Sequence, residues 1–271
     1  MCQLLGMNCN TPTDITFSFS GFTQRAGVTD HHTDGWGIAF FEGVPVLAED
    51  GASKDAATAP DKGLRLFIDH TAASTSPVAE LIRHYPIKSR NVVAHIRKAT
   101  QGVVALQNCH PFVRELWGQY WVFAHNGNLE NYQPRLHSHF RPVGDTDSER
   151  AFCWIMQEIA KAHVAFPGVE ELTRTLRELL PPIHAHGTFN MLLSNGQALW
   201  AHASTNLHYV VRQHPFTTAA LSDEDVEVNF ADVTQPHDRV AVIATLPLTR
   251  NEQWTQLQSG TLQAFVDGAA V

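Results

Sequence analysis

The stretch Met1-Cys2-Gln3-Leu4-Leu5-Gly6-Met7-Asn8 combines a candidate nucleophile with a predicted buried strand. The run after Cys2 is apolar apart from Gln3, which predicts a strand that carries Cys2 at its beginning. Removal of Met1, favoured by the small residue after it, would leave Cys2 with a free α-amine and a thiol, whose ordinary pKa values are about 8 and 8.5. Such a residue can act as a nucleophile with its own amine as general base. The alternative is that Cys2 is a small, inert core residue, as most free cysteines are.

The composition is that of a globular protein with a large core. Hydrophobic residues make up 44% of the 271 residues and charged residues 17%, which leaves no compositional case for disorder. The net charge of −8 argues against nucleic-acid and anionic-membrane partners. The four cysteines form no CxxC pair, and we find no signal peptide or membrane-length apolar run. We therefore expect a single cytoplasmic domain over residues 2–271, without a disulfide framework or a zinc site.

The first half of the chain is predicted to contain strands and a short helix. Strands are expected at Trp36 to Phe41, Asn91 to Ile96 and Tyr120 to Ala124, because each run is strongly apolar. The segment Ser76-Pro77-Val78-Ala79-Glu80 has a capping serine, a proline at the first helical position and an acid three residues after the cap. This pattern predicts the start of a helix. Residues 50–63, rich in Ala, Asp, Lys and Gly, are predicted to form a surface loop.

The second half is predicted to contain two helices followed by strands. A capping box from Thr146 to Glu149 opens the first helix, and Val169 to Leu180 is predicted as the second, ended by Pro181-Pro182. The predicted strands that follow are Phe189 to Leu193, Ala198 to Ala203, Leu207 to Arg212, Val240 to Thr245 and Leu262 to Val266. Strands, then helices, then strands, without βαβ alternation, predict an α+β architecture of antiparallel sheets packed together with helices outside.

Four polar, glycine-containing stretches lie beside the predicted strands. The first is Asp34-Gly35-Trp36-Gly37, whose glycines permit a tight turn with close backbone approach, although an ordinary turn is the simpler explanation. The second is His95-Ile96-Arg97-Lys98-Ala99-Thr100-Gln101-Gly102. The planar guanidinium of Arg97 suits bidentate capture of a carboxylate, and a surface ion pair is the alternative.

The other two stretches offer an oxyanion site and an anion at a helix start. In Phe123-Ala124-His125-Asn126-Gly127-Asn128-Leu129, an Asn-Gly pair after a strand is typical of a hairpin turn, but the residues that follow are poorly suited to a second strand. The alternative is that the Asn126 side-chain amide and the Gly127 N–H donate to a developing oxyanion, each worth about 3–4 kcal/mol in the transition state. In Gly144 to Glu149, the capping box does not require Asp147, whose carboxylate is then available to an ammonium group.

Taken together with Cys2 and with Asn108-Cys109-His110-Pro111, these stretches stand in the order of a known family. The chain resembles the class II glutamine amidotransferases, which use an N-terminal nucleophile, and is most similar to small stand-alone members without a fused synthetase domain. The motifs span residues 1 to about 150, and the later strands agree with the fold. The resemblance implies a four-layer αββα fold of two stacked, mainly antiparallel sheets flanked by helices, with neither cofactor nor metal.

The resemblance also implies roles for individual residues. Cys2 attacks a γ-glutamyl amide and forms a thioester, while its own amine carries the proton; Asn126 and Gly127 hold the oxyanion. Arg97 binds the α-carboxylate of the glutamyl group, and Asp147 binds its α-ammonium. Two further positions match residues that line the pocket in this family: Thr100 and His110.

Two positions depart from the family pattern. His31-His32-Thr33 stands where larger amidotransferases commonly have an arginine near the nucleophile. Gln101 stands where they tend to have histidine. Both departures are expected to touch the pocket, so the substrate need not be free glutamine.

Several functions stay open at this point. The first is an amidohydrolase acting on glutamine or a γ-glutamyl small molecule, or a glutaminase subunit that supplies ammonia to a separate synthetase or other subunit in trans; a homodimer is a further option. The second is a non-catalytic subunit that binds glutamate or γ-glutamyl groups. The third is a metal hydrolase, because the chain has 16 histidines, including His137-x-His139 and His184-x-His186. Their spacings match no standard zinc pattern, which disfavours the third.

Overall fold

Two stacked antiparallel sheets form the centre of the molecule. The computed structural model describes residues 2–43, 63–137 and 139–271. The first sheet has the strand order β13 (Thr255–Gln256), β9 (His208–Gln213), β12 (Arg239–Ala244), β1 (Gln3–Thr13), β4 (Ser89–Ile96), β2 (Trp36–Glu42), β3 (Gly63–Asp69). The second has the order β15 (Ala269–Ala270), β14 (Thr261–Val266), β8 (Leu199–Ala203), β7 (Gly187–Ser194), β6 (Gln119–Leu129), β5 (Phe112–Leu116). A separate ribbon pairs β10 (Thr218–Ala220) with β11 (Glu227–Asn229).

Helices cover the outer face of each sheet. The described helices are α1 (Thr16–Gln24), α2 (Pro77–His84), α3 (Asp147–Ala162) and α4 (Val169–His184), with two 3₁₀ turns at Leu106–Asn108 and Phe230–Asp232. Side chains of α1 and α2, including Phe19 and Ile82, pack on the first sheet, and α3 and α4 pack on the second. A third core, which includes Leu4, Val93 and Leu192, lies between the sheets. The predicted four-layer αββα arrangement is therefore confirmed.

The strand that follows Cys2 is the central strand of its sheet. β1 pairs antiparallel with β12 on one side and with β4 on the other. Leu5 faces the helices, whereas Leu4 faces the second sheet, and both are fully buried. A strand buried on both faces has no need of polar alternation, which explains the continuous apolar run. The predicted strand is confirmed, and it extends further, to Thr13.

Most of the other predicted elements are present. The described structure contains the helix that begins after Ser76, the capped helix α3 and the five late strands. The predicted loop at 50–63 lies outside the described residues, apart from its last position. β3 and β5 were not predicted, because both have partly exposed side chains and no long apolar run. Among the described helices, none is long and apolar enough to cross a membrane.

The predicted end of α4 at Leu180 is wrong, because the helix continues through both prolines to His184. A proline removes one helical hydrogen bond and crowds the preceding turn, but its carbonyl can still accept: the Pro181 carbonyl accepts the Ala185 N–H at 3.0 Å. Ile183, in the same last turn, is fully buried in the core under the second sheet. Tertiary packing therefore holds a turn that local sequence disfavours.

Candidate active site

Six of the seven predicted site residues line one small cavity between the ends of β1, β4 and β6 and the start of α3. Because β1 and β4 are antiparallel neighbours with Gln3 opposite Ile96, the beginning of β1 meets the end of β4. The first turn of α3 forms the remaining side of the cavity. The six residues are Cys2, Arg97, Thr100, His110, Gly127 and Asp147.

The Cys2 thiol is buried and bonded to the backbone of the residue that follows Arg97. The Lys98 N–H donates to Cys2 Sγ at 3.3 Å, and Sγ lies 3.4 Å from the Lys98 carbonyl oxygen. Burial raises the pKa of the Cys2 thiol above its ordinary value, although the hydrogen bond with Lys98 opposes this. The sulfur is therefore a neutral thiol near pH 7, and it needs a base to become a nucleophile.

The Arg97 guanidinium is buried and already bonded to backbone. Its two terminal nitrogens donate to the carbonyl oxygens of Gln101 at 3.0 Å, Val103 at 3.1 Å, Gly102 at 3.2 Å and, more weakly, Asp34 at 3.5 Å. The cation thus organises the turn that follows β4 while it also faces the Cys2 cavity.

The glycines of the Asp34-Gly35-Trp36-Gly37 stretch serve close backbone packing around the site. Asp34 Oδ2 accepts the Ala99 N–H at 2.8 Å, which fixes the segment after β4. Gly35 has a φ of +118°, a conformation that L side chains rarely adopt. A Cβ on Gly37 would lie 2.3 Å from the His110 carbonyl oxygen, so only glycine permits this approach. The stretch therefore does more than form an ordinary turn.

Asn126 and Gly127 lie inside β6, so the prediction that they do not form a hairpin turn is confirmed. Asn126 is opposite Asn190 and Gly127 is opposite Phe189 in β7. A Cβ on Gly127 would lie 1.8 Å from the Thr188 carbonyl oxygen, which requires glycine at this position.

The Gly127 N–H points away from β7. In antiparallel pairs, alternate residues direct their N–H groups to opposite sides of the strand. Two residues along β6, the Leu129 N–H leaves the ladder and donates to Asp147 Oδ2 at 2.7 Å. The N–H of Phe189, opposite Gly127, donates to the Ser204 hydroxyl at 2.7 Å. β5 pairs with β6 only as far as Phe123, so the Gly127 N–H faces the open side of the strand, where the cavity lies.

Asn126 is the predicted site residue that does not line the cavity, and its amide contacts a threonine that sequence reasoning missed. Asn126 Nδ2 lies 3.4 Å from the hydroxyl oxygen of Thr245, and its Oδ1 has no hydrogen-bond partner among the described residues. The same hydroxyl oxygen accepts the Leu4 N–H at 2.9 Å. Thr245 therefore connects the candidate oxyanion amide to the strand that carries Cys2. It lies at the end of a correctly predicted strand, but nothing local in the sequence indicates these long-range contacts.

The hydrogen bonds of His125 determine which oxygen of Asp147 is available. His125 Nε2 lies 3.1 Å from the Thr188 carbonyl, which can only accept, so Nε2 carries the proton. Burial lowers the pKa of His125, so the ring is neutral and Nδ1 accepts from the Ser148 hydroxyl at 2.8 Å. That hydroxyl has one proton and cannot also donate to Asp147 Oδ1, 3.4 Å away. With Oδ2 taken by the Leu129 N–H, Oδ1 remains available to a ligand.

Two further buried histidines lie beside the cavity. The rings of His95 and His110 are 4.2 Å apart, and His95 Nε2 contacts the His125 carbonyl oxygen at 3.1 Å. Burial lowers the pKa of His95 to about 3 and that of His110 well below its ordinary value. Both are therefore neutral at pH 7. Neither ring nitrogen of His110 has a hydrogen-bond partner among the described residues.

Of the two departures from the family pattern, only Gln101 lines the cavity. Its amide donates to Asn128 Oδ1 at 2.7 Å and to the Leu129 carbonyl at 3.0 Å, which ties the turn after β4 to the end of β6. His31 to Thr33 are not lining residues, so the expectation that they touch the pocket is wrong for this cavity. His32 pairs instead with Asp30 at 3.0 Å.

A metal hydrolase requires several ligating side chains that converge on one point. Over residues 2–43, 63–137 and 139–271, no group of three or more His, Cys, Asp or Glu side chains is placed to hold a metal ion.

Comparison with known proteins identifies the fold and the family of this chain. The four-layer fold is shared with a solved amidotransferase: the glutamine phosphoribosylpyrophosphate amidotransferase of B. subtilis superimposes with a TM-score of 0.57 at 13% identity, covering 100% of this chain and 48% of that one. This likeness concerns the fold alone. The chain belongs to the class II glutamine amidotransferases, whose family model matches residues 1–271.

Closer relatives cover the whole chain. Proteins of Haemophilus influenzae and Escherichia coli, both named as candidate glutamine amidotransferases, are 49% and 47% identical over 272 residues. These alignments cover 100% of this chain and 86% and 100% of the relatives. A crystal structure of a predicted glutamine amidotransferase from Pseudomonas aeruginosa has a TM-score of 0.75 at 40% identity, covering 100% of this chain and 99% of that one.

Proposed function

We propose that this protein is an amidohydrolase that uses Cys2 to cleave a γ-glutamyl amide through a glutamyl-thioester. The observation that carries the proposal is the meeting of Cys2, Arg97, Gly127 and Asp147 around one cavity. A γ-glutamyl group presents a carbonyl to be attacked, an α-carboxylate and an α-ammonium. The thiol and the backbone donor match the carbonyl, the guanidinium matches the α-carboxylate, and the carboxylate of Asp147 matches the α-ammonium.

The neutral state of the Cys2 thiol supports the α-amine as general base. Once Met1, which lies outside the described residues, is removed, the amine takes the thiol proton as sulfur attacks the amide carbon. The Gly127 N–H and Asn126 Nδ2 donate to the oxyanion that forms. The C–N bond then breaks, and the amine returns the proton to the leaving nitrogen. Water hydrolyses the thioester, which releases the γ-glutamyl product as a carboxylic acid and regenerates the thiol.

The charged groups of the cavity fix the glutamyl end of the substrate. Asp147 Oδ1, which no neighbouring proton occupies, accepts from the α-ammonium, and its position in the first turn of α3 stabilises its negative charge. Arg97 binds the α-carboxylate. Thr100, which is exposed at the rim, and His110, in the wall, complete the pocket.

The leaving group defines two versions of the reaction. With glutamine, the product is ammonia, and the protein acts as a glutaminase subunit for a synthetase in trans. With a γ-glutamyl small molecule, the product is an amine. We favour a single domain over residues 2–271 that works in the cytoplasm, where cysteines that form no disulfide remain reduced.

Two cysteine variants test the mechanism. Cys2→Ala is expected to abolish release of glutamate from glutamine, glutathione and other γ-glutamyl amides, with ammonia followed in parallel. Cys9→Ala, on the strand that follows Cys2 but in the core beneath the helices, is expected to retain turnover. A thiol-directed glutamine analogue should label the N-terminal residue, and intact mass should show that Met1 is absent. Turnover by Cys2→Ala would refute the mechanism, and glutamate binding without any turnover would instead indicate a binding subunit.

A further inference from the structure

A second cavity lies between α4 and the β8–β14 part of the second sheet. Its volume is about 440 Å³, within the range of small-molecule sites. It shares no lining residue with the Cys2 cavity. Its walls include the apolar side chains of Leu180 and Leu262, and the polar side chains of Arg177, His184 and His202.

His202 lines this cavity and carries a buried hydrogen-bond acceptor. The residue is 2% exposed, and its Nδ1 lies 2.9 Å from the Thr261 carbonyl oxygen, which can only accept, so Nδ1 carries a proton. Burial lowers the pKa of His202 to about 4, so the ring is neutral at pH 7 and Nε2 is an unprotonated acceptor. Nε2 has no hydrogen-bond partner among the described residues. A buried acceptor in this state favours a ligand that donates.

The rest of the lining favours an anion with an apolar body. No Asp or Glu lines the cavity, although the chain has 27 acidic residues, whereas Arg177 and His184 do line it. Within the described residues Arg177 forms no ion pair, whereas Arg174, one turn away on the same helix, pairs with Glu170.

We propose that this cavity binds a small organic anion whose apolar body carries a hydroxyl or amine donor. The donor bonds to His202 Nε2, the apolar body packs between Leu180 and Leu262, and the carboxylate pairs with Arg177. This site is independent of the γ-glutamyl chemistry proposed for Cys2, because no residue is common to the two cavities.

A three-probe titration tests the assignment of groups. 4-Hydroxyphenylacetate carries both the donor and the carboxylate, phenylacetate lacks the donor, and 4-methylphenol lacks the carboxylate. We expect saturable binding of the first probe, followed by calorimetry and by the imidazole resonances of His202, and affinities weaker by about tenfold or more for the other two. Equal affinity for all three, or no saturation at millimolar concentrations, would overturn the proposal.

Variants locate the bound probe. His202→Phe keeps a buried ring without the acceptor, and Arg177→Ala removes the cation; each is expected to weaken binding of 4-hydroxyphenylacetate by about tenfold. Arg174→Ala, an exposed change on the same helix, is expected to leave the affinity unchanged. Thermal unfolding of each variant establishes that it is folded. Binding that survives both changes, or that is lost only in Arg97→Ala, would place the probe elsewhere and refute the site.

Discussion

Replacing Thr245 by valine removes one buried hydroxyl at nearly constant side-chain volume. Its oxygen accepts the Leu4 N–H at 2.9 Å and the Asn126 amide at 3.4 Å. Valine leaves the buried Leu4 N–H without this acceptor, a loss of about 1–3 kcal/mol, and the longer Asn126 contact adds less. A fall of about 2 kcal/mol in the free energy of unfolding corresponds to a Tm lower by about 4–8 °C in a chain of this size.

The same substitution should reduce catalysis through the orientation of Asn126. One oxyanion donor is typically worth about 10²–10³ in kcat, and an amide released from its anchor keeps part of that effect. We therefore expect kcat for γ-glutamyl hydrolysis to fall by about tenfold or more with little change in KM, because the lost interaction belongs to the transition state.

Thr245→Ser is the matched control, because it keeps the hydroxyl and loses only a methyl group. Glutamate release under saturating substrate and denaturant unfolding are measured for both variants. The serine variant should retain kcat close to the unmodified protein, with a stability loss of about 1 kcal/mol. If valine and serine have equal kcat, the hydroxyl does not position Asn126 and the reasoning is refuted.

Three other outcomes are expected. Gly127→Ala places a methyl group 1.8 Å from the Thr188 carbonyl oxygen, so β6 and β7 must separate. We expect the free energy of unfolding to fall by about 1–3 kcal/mol and kcat to fall by about a hundredfold. Wild-type values for both would contradict this. In Asp147→Asn the Leu129 N–H should hold the amide oxygen, so that the NH₂ group faces the substrate ammonium. We expect kcat/KM to fall by about tenfold or more for free γ-glutamyl amides but little for N-acetylated ones. Equal losses for both would argue against binding of the α-ammonium by Asp147. Acid should destabilise the fold, because the pKa of His95 is about 3 in the folded protein and about 6.5 in the unfolded chain. Between these two values the unfolded chain binds more protons, so the stability present above pH 6.5 is lost on acidification by up to about 1.4 kcal/mol per pH unit. His95→Gln should reduce this slope, measured as the free energy of unfolding against pH.

The elements that sequence predicts well are those whose signals are local or periodic. The start of α3 is predicted from the capping box of Thr146 and Glu149, and the Thr146 hydroxyl does accept the Glu149 N–H at 3.2 Å. The other half of the capping box differs, because the Glu149 carboxylate accepts the N–H groups of Val143 and Gly144. β1 is recognisable from the sequence because it has a neighbouring strand on each side and a hydrophobic core on each face, so residues 4–7 are all apolar. The four-layer arrangement is implied by the family resemblance, whereas the strand order within each sheet is not predicted, because no local signal specifies which strands pair.

The parts of the site that sequence missed depend on long-range contacts. Thr245 meets Leu4 across 241 positions, and neither residue carries a motif. The sequence predicts Arg97 as a carboxylate ligand, but it does not predict that backbone carbonyls occupy its terminal nitrogens. The sequence predicts Asn126 as an oxyanion donor, and both roles stay predictions. That Asn126 does not line the cavity and contacts Thr245 instead depends on how β6 packs against the end of β12.

The bonds of Arg97 place the carboxylate binding proposed for this residue in competition with the order of the segment that follows β4. Its terminal nitrogens are shared among four carbonyls, which leaves Nε–H as the remaining donor of the five. A carboxylate held through two donors must therefore displace at least one of the four carbonyls, three of which belong to the segment from Gln101 to Val103. If the displaced carbonyl belongs to this segment, the two events are linked, and a change that tightens the segment weakens the proposed carboxylate binding. The selectivity of the proposed site would then depend on residues that never touch the substrate.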